Sequence, residues 1–89
     1  MKIFVSEYAR QSLIETKHYY NDERAGLGYE FVQEFMATLE RIQAQPEAWT
    51  PLSKRTRRCL MKRFSYSVIF RVVKEQQQIQ VIKVIAAFL

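Results

Sequence analysis

Between Val73 and Gln78 the chain has room for a turn and nothing more, and the residues on both sides of that gap alternate in character. Tyr66, Val68, Phe70 and Val72 alternate with Ser67, Ile69 and Arg71, the period of a half-buried strand. Over Gln78 to Phe88, Ile82, Val84, Ala86 and Phe88 alternate with Val81, Lys83 and Ile85. With only Glu75-Gln76-Gln77 as a turn, the two runs must pair antiparallel. A sheet of this kind has an apolar face that the rest of the chain must cover.

The N-terminal half supplies the cover. Met1 to Val5 is a short β-branched and aromatic run that stops at Ser6, a good N-cap, with Glu7 next, where the helix dipole favours an acid. From Glu7 to about Tyr20, Ala9, Leu13, Thr16 and Tyr20 recur at the period of one helical face. Asn21-Asp22 and Gly26-Leu27-Gly28 mark a break. A second helix is predicted from about Ala25 or Gly28 to Ala44, with Phe31, Val32, Phe35, Met36, Leu39 and Ile42 as its apolar stripe, ending before Pro46. The short connection makes the two helices an antiparallel hairpin. Pro46 to Lys54 reads as an irregular crossing in which Trp49 and Leu52 cover an open edge of the core, and a further strand is expected from about Thr56 to Phe64.

The predicted fold class is therefore α+β: a helical hairpin packed on one face of a mainly antiparallel four-stranded sheet, in the order β-α-α-β-β-β. At 89 residues, 48% of them hydrophobic, the chain holds one domain with one modest core. The longest apolar run, Val84 to Leu89, is too short to cross a bilayer. The N-terminus reaches Glu7 before a secretory apolar segment develops, so a cytoplasmic protein is expected. A lone Cys59 forms neither an internal disulfide nor a zinc site and is expected as a small buried hydrophobe. No cofactor or metal is implied.

Charge is distributed unevenly. Ala48 to Lys74 contains Lys54, Arg55, Arg57, Arg58, Lys62, Arg63, Arg71 and Lys74 and no Asp or Glu, whereas the remainder carries six cations against nine carboxylates. Interleaving with Leu60, Met61, Phe64, Tyr66, Val68 and Phe70 places these cations on strands, as a footprint for a polyanion or an acidic partner. Arg57, Arg58, Lys62 and Arg63 are candidate phosphate contacts, and the same face would also only need to be solubilising if no partner exists. For proton transfer the chain offers His18, Tyr66 and distant carboxylates. His18 falls late in the first helix, where a helix C-terminus favours a cation, so no catalytic base is named. Trp49 and Phe64 read as core aromatics. Of the pair Tyr19-Tyr20, one ring must point away from the packed stripe; it reads as a rim residue with a wet hydroxyl or, alternatively, as part of a docking groove for a partner helix beside the hairpin.

The element order, with Arg57-Arg58-Cys59 opening one strand, Phe64 to Val72 forming the next, Ile79 to Ile85 closing the sheet, and Ala9, Tyr19-Tyr20, Phe31, Phe35, Leu39, Ile42 and Pro46 in the helical hairpin, resembles the RelE/ParE superfamily of type II toxin–antitoxin toxins. The resemblance covers nearly the whole chain. It implies a toxin neutralised by a cognate antitoxin with an acidic C-terminal segment, and one of two targets. RelE-like members are ribosome-dependent mRNA endonucleases in which basic side chains on the sheet hold the RNA; ParE-like members inhibit DNA gyrase. In the RelE pattern an Arg follows the strand tyrosine and a Lys lies upstream, whereas here Ser67 follows Tyr66 and Leu60 stands upstream, with Arg58 as the further basic residue. The resemblance is thus closer to ParE, and Arg58, Arg63 and Tyr66 remain as weak catalytic candidates for the mRNA interferase alternative. Antitoxin or target contacts are expected from Arg55, Arg57, Arg58, Lys62, Arg63, Tyr19 and Tyr20. A basic nucleic-acid-binding module without toxicity is the other alternative. Superfamily members usually continue past the last strand into a His-x-x-Arg segment, which the sequence up to Leu89 does not contain.

Overall fold

A computed structural model describes residues 1–87. Strand β1 (Lys2–Val5) runs into helix α1 (Glu7–Glu23), helix α2 (Leu27–Ala44) returns antiparallel to it, and strands β2 (Thr50–Pro51), β3 (Arg57–Leu60), β4 (Tyr66–Val73) and β5 (Gln78–Ala86) follow. The sheet order is β1-β5-β4-β3-β2, with β1 parallel to β5 and every other pairing antiparallel. Both helices cover one face. The architecture is the expected one, with a fifth strand: the crossing after Pro46 contributes Thr50 and Pro51, which pair with Arg58 and Arg57.

Local chemistry explains the boundaries. The Ser6 hydroxyl accepts from the Ala9 N–H at 3.0 Å, capping α1. The helix runs past Tyr20 to Glu23, because Asn21 turns its amide oxygen to the Gly28 N–H (2.8 Å) and so ties the end of α1 to the start of α2 instead of breaking the helix. Gly26 supplies the left-handed turn (φ 89°) between them. Gly28 is buried where the helices cross, and a Cβ there would collide with the Lys17 carbonyl oxygen and the Asn21 side chain.

The core gathers Phe31, Phe35, Leu39 and Ile42 of α2 with Ala9 of α1, Cys59, Val68, Phe70, Ile79, Val81 and Val84 of the sheet. Met36, expected in the α2 stripe, is 54% exposed, and Thr38 takes a fully buried place by donating its hydroxyl to the Glu34 carbonyl. Leu52, expected to cover the core's edge, is exposed, while Trp49 packs against the core. Cys59 is fully buried, and burial pushes its thiol up.

Two strand predictions need correction. The β3 run stops at Leu60 and not near Phe64: Met61 to Ser65 form a loop closed by Met61 N–H to Tyr66 C=O (2.9 Å), which turns Met61 and Phe64 into the core. In β5 the simple alternation fails at Ile82, where a bulge brings Val81 and Val84 onto the same, helix-covered face. Ser6 secures that bulge, its N–H donating to Val81 C=O (2.9 Å) and its hydroxyl to Ile82 C=O (2.8 Å). Phe88 lies outside the described residues.

Candidate functional site

The cations of residues 48–74 do not form one strand-borne face. Lys54 and Arg55 lie in the β2–β3 loop, Lys62 and Arg63 in the β3–β4 loop, and Lys74 in a 3-10 turn after β4; only Arg57, Arg58 and Arg71 lie on strands. Strand alternation then separates these three. Arg57 pairs with Phe70 and so faces the helices, where its guanidinium donates to the Trp49 carbonyl at 2.9 Å. Arg58 pairs with Ile69, and Arg71 with Gln80, on the face that no helix covers.

That uncovered face has a definite composition. Register aligns Thr50, Arg58, Ile69 and Lys83 in one row, Leu60, Ser67 and Ile85 in a second, and Phe4, Gln80 and Arg71 in a third. Leu60, Ile85 and Phe4 are exposed at 51%, 40% and 47%. Ile69 is buried even so; its row neighbours Arg58 and Lys83 carry aliphatic stems long enough to roof it. The Ser67 hydroxyl is buried between Leu60 and Ile85 in register and has no hydrogen-bond partner among the described residues. None of the described residues that register places in these rows is an acid or a histidine.

The weak catalytic candidates are not brought together. Tyr66 neighbours Ser67 and so faces the helices, inside an aromatic cluster with Tyr20 (ring centroids 6.3 Å apart) and Phe31 (5.2 Å). Burial raises the Tyr20 hydroxyl, with the adjacent Tyr66 adding to the shift. Arg63 is held by Glu30 at 2.6 Å, and Arg24 binds the other oxygen of the same carboxylate at 3.1 Å. Hydrogen bonds from Arg63 and then Arg24 hold Glu30 below the usual carboxylate range. The Lys62 backbone N–H donates to a Glu34 carboxylate oxygen at 3.3 Å, so the β3–β4 loop is tied to α2 by this amide as well as by the Arg63 side chain. Arg58 stands on the opposite side of the sheet from Tyr66, and His18 is exposed on α1.

Tyr20 packs inward against Phe31 and Phe64, and Tyr19 projects 58% exposed, edge-on to it at 5.3 Å. The pair thus divides as the sequence required, one ring in and one out. Sequence reasoning passed over Phe4, Leu60, Lys83 and Ile85. The alternation of Phe4 with Ile3 and Val5 was readable, but which side the helices would cover was not.

The profile of the family described as "ParE toxin of type II toxin-antitoxin system, parDE" matches residues 3–87. The chain belongs to this family. Its fold is similar to that of a solved structure described as the chromosomal ParDE TA system from P. aeruginosa, with TM-score 0.85 and 18% identity over 99% of this chain and 97% of that one. The isolated E. coli RelE toxin is similar too, with TM-score 0.73 and 16% identity over 99% of this chain and 85% of that one. No curated protein matches the chain by sequence.

Proposed function

We propose that this ParE-family toxin acts in the cytoplasm by binding DNA gyrase, and that a cognate antitoxin neutralises it by laying an acidic, apolar-anchored C-terminal segment on the uncovered sheet face. The observation that carries the reading is the makeup of that face: Arg58, Arg71 and Lys83 beside exposed Leu60 and Ile85, with no acid or histidine among the residues in register there. Cations next to exposed apolar side chains suit a protein partner, whose charges steer the encounter and whose apolar groups bury on contact. Phosphodiester cleavage would require a group to move a proton beside the cations. Tyr66 is on the other face and Arg63 is engaged by Glu30, which favours target binding over nuclease chemistry.

The test is a pair of assays on one preparation. Gyrase supercoiling is expected to fall as the chain is added, and translating ribosomes are expected to carry uncut mRNA. Codon-positioned cuts that disappear in Arg58→Ala or Arg63→Ala would establish the interferase reading in its place.

A further inference from the structure

We propose that one end of the uncovered sheet face is a binding site for a nucleoside triphosphate, with the base held by Phe4 and Tyr8 and the phosphates held from Arg71 outward. The proposal goes beyond gyrase and antitoxin binding and does not depend on either.

The site follows from two irregularities of the sheet. At the β5 bulge the Ser6 cap draws the start of α1 against Val81 and Ile82, which leaves a recess of about 550 Å³ lined by Phe4, Tyr8, Ile82 and Arg71. Phe4 and Tyr8 are 47% and 66% exposed, two aromatic surfaces facing solvent with nothing among the described residues stacked on them. At the same end β4 outruns β3: the pairing of β3 begins at Arg57 with Phe70, so Arg71 to Val73 have a partner strand on the β5 side alone. The β2–β3 loop and the 3-10 turn close this notch into a second recess of about 570 Å³, where Lys54, Arg55, Arg57, Arg71 and Lys74 outnumber Glu47 and Glu75. Lys74 and Glu47 pair at 3.1 Å and offset each other, which leaves Lys54, Arg55, Arg57 and Arg71 against Glu75.

Arg71 and Gln80 line both recesses and join them. Gln80 accepts the Arg71 Nε–H at 2.7 Å, orienting the guanidinium while both terminal nitrogens stay without a partner among the described residues. An oriented guanidinium recognises phosphate oxygens in pairs. An aromatic cup, then a fixed guanidinium, then a cationic basin is the order of groups in a nucleotide: base, first phosphate, further phosphates. Each recess has the size of a small-ligand pocket. A single-stranded nucleic acid would use several aromatic platforms along a charged track. Here there is one cup, and beyond Arg71 in the other direction Arg58 and Lys83 flank aliphatic Leu60, Ile69 and Ile85 with no second aromatic ring in register, so one nucleotide fits the chemistry better than a strand.

Titration calorimetry of the purified chain with ATP, tripolyphosphate and an oligothymidylate tests this, with gyrase and antitoxin absent, so that failure here leaves the gyrase assay untouched. ATP is expected to bind saturably, about tenfold more tightly than tripolyphosphate because of base stacking. Arg71→Ala and Tyr8→Ala are each expected to weaken ATP about tenfold, while Tyr8→Phe, which keeps the ring, retains binding. Both side chains are exposed, and unchanged circular dichroism of each variant separates lost contacts from lost folding. Absence of saturable ATP binding, equal affinity for tripolyphosphate, or an oligothymidylate that outcompetes ATP through the same residues would overturn the proposal.

Discussion

The two faces of the sheet are made from the same strands and have opposite duties. Tyr66, Val68 and Phe70 meet α1 and α2 and are buried or half-buried, whereas Ser67, Ile69 and Arg71, their immediate neighbours in β4, belong to a face with no helix on it. On the covered side Thr38 bonds a helix carbonyl and Arg57 a loop carbonyl, and only the Trp49 indole N–H is buried without a partner among the described residues there. On the uncovered face Arg58 and Lys83 have no ion-pair partner among the described residues. The contrast teaches that a two-layer fold can separate stability from recognition residue by residue, because successive strand side chains point to opposite sides. A cation in the basic segment is therefore informative only once its side of the sheet is known.

The largest expected effect is on the covered face. Phe35 is 1% exposed at the centre of the helix–sheet contact, and Phe35→Ala is expected to cost about 3–5 kcal/mol in denaturant unfolding. That is a large share of the stability of a small domain. An unchanged unfolding midpoint would show that α2 is not packed on the sheet.

Gly28→Ala comes next, at about 1–3 kcal/mol, since its Cβ must displace the Lys17 backbone or Asn21 at the helix crossing. Gly26→Ala has open space around it but a φ of 89°, so strain and not collision is its penalty. If the Gly28 variant melts like the parent, the close helical approach is wrong.

Charge reversal at Arg58 together with Lys83 should cost about 1 kcal/mol, because the shorter acidic side chains uncover part of Ile69. It should slow association with the antitoxin about tenfold at low salt and flatten the salt dependence of the on-rate. Arg57→Glu should behave differently, losing stability through the Trp49 contact and not through Ile69, although both arginines belong to one sequence motif. Stopped-flow binding and thermal melts of the variants measure both. Equal behaviour of Arg57 and Arg58 would erase the distinction between the faces.

The smallest effect is the pH dependence of the loop tether. Glu30 titrates below its usual value of 4.5 in the folded chain because Arg63 and Arg24 bind its charged form. The contribution of that tether is thus complete above the unfolded carboxylate value and is lost as pH falls through the lower folded value. Acidification should destabilise the parent more than Glu30→Gln, read from urea midpoints at neutral and acidic pH. Parallel losses would mean that Glu30 is not the anchor of the β3–β4 loop.

Much of the architecture was legible in the sequence. The period of Ala9, Leu13 and Tyr20, the Ser6 cap, the stripe from Phe31 to Ile42 and the tight turn before Gln78 are local signals, and each became the element it suggested. The candidate site was legible as a segment and not as a surface. Arg55, Arg57, Arg58, Lys62 and Arg63 were readable as a cluster, but neighbours in sequence are dispersed by strand alternation and by loops.

Period and propensity, which act over one or two turns of chain, determined by themselves that this protein has two amphipathic helices and alternating strands. The tertiary structure alone decided which side of each strand is buried. That decision rests on contacts remote in sequence: β1 pairing in parallel with β5, the Ser6 hydroxyl holding the Ile82 bulge, and Glu30 drawing Arg63 onto α2. A single extra residue in β5 moves Val84 onto the side of Val81, and since the side-chain period of a strand is two, no local pattern reports such a shift.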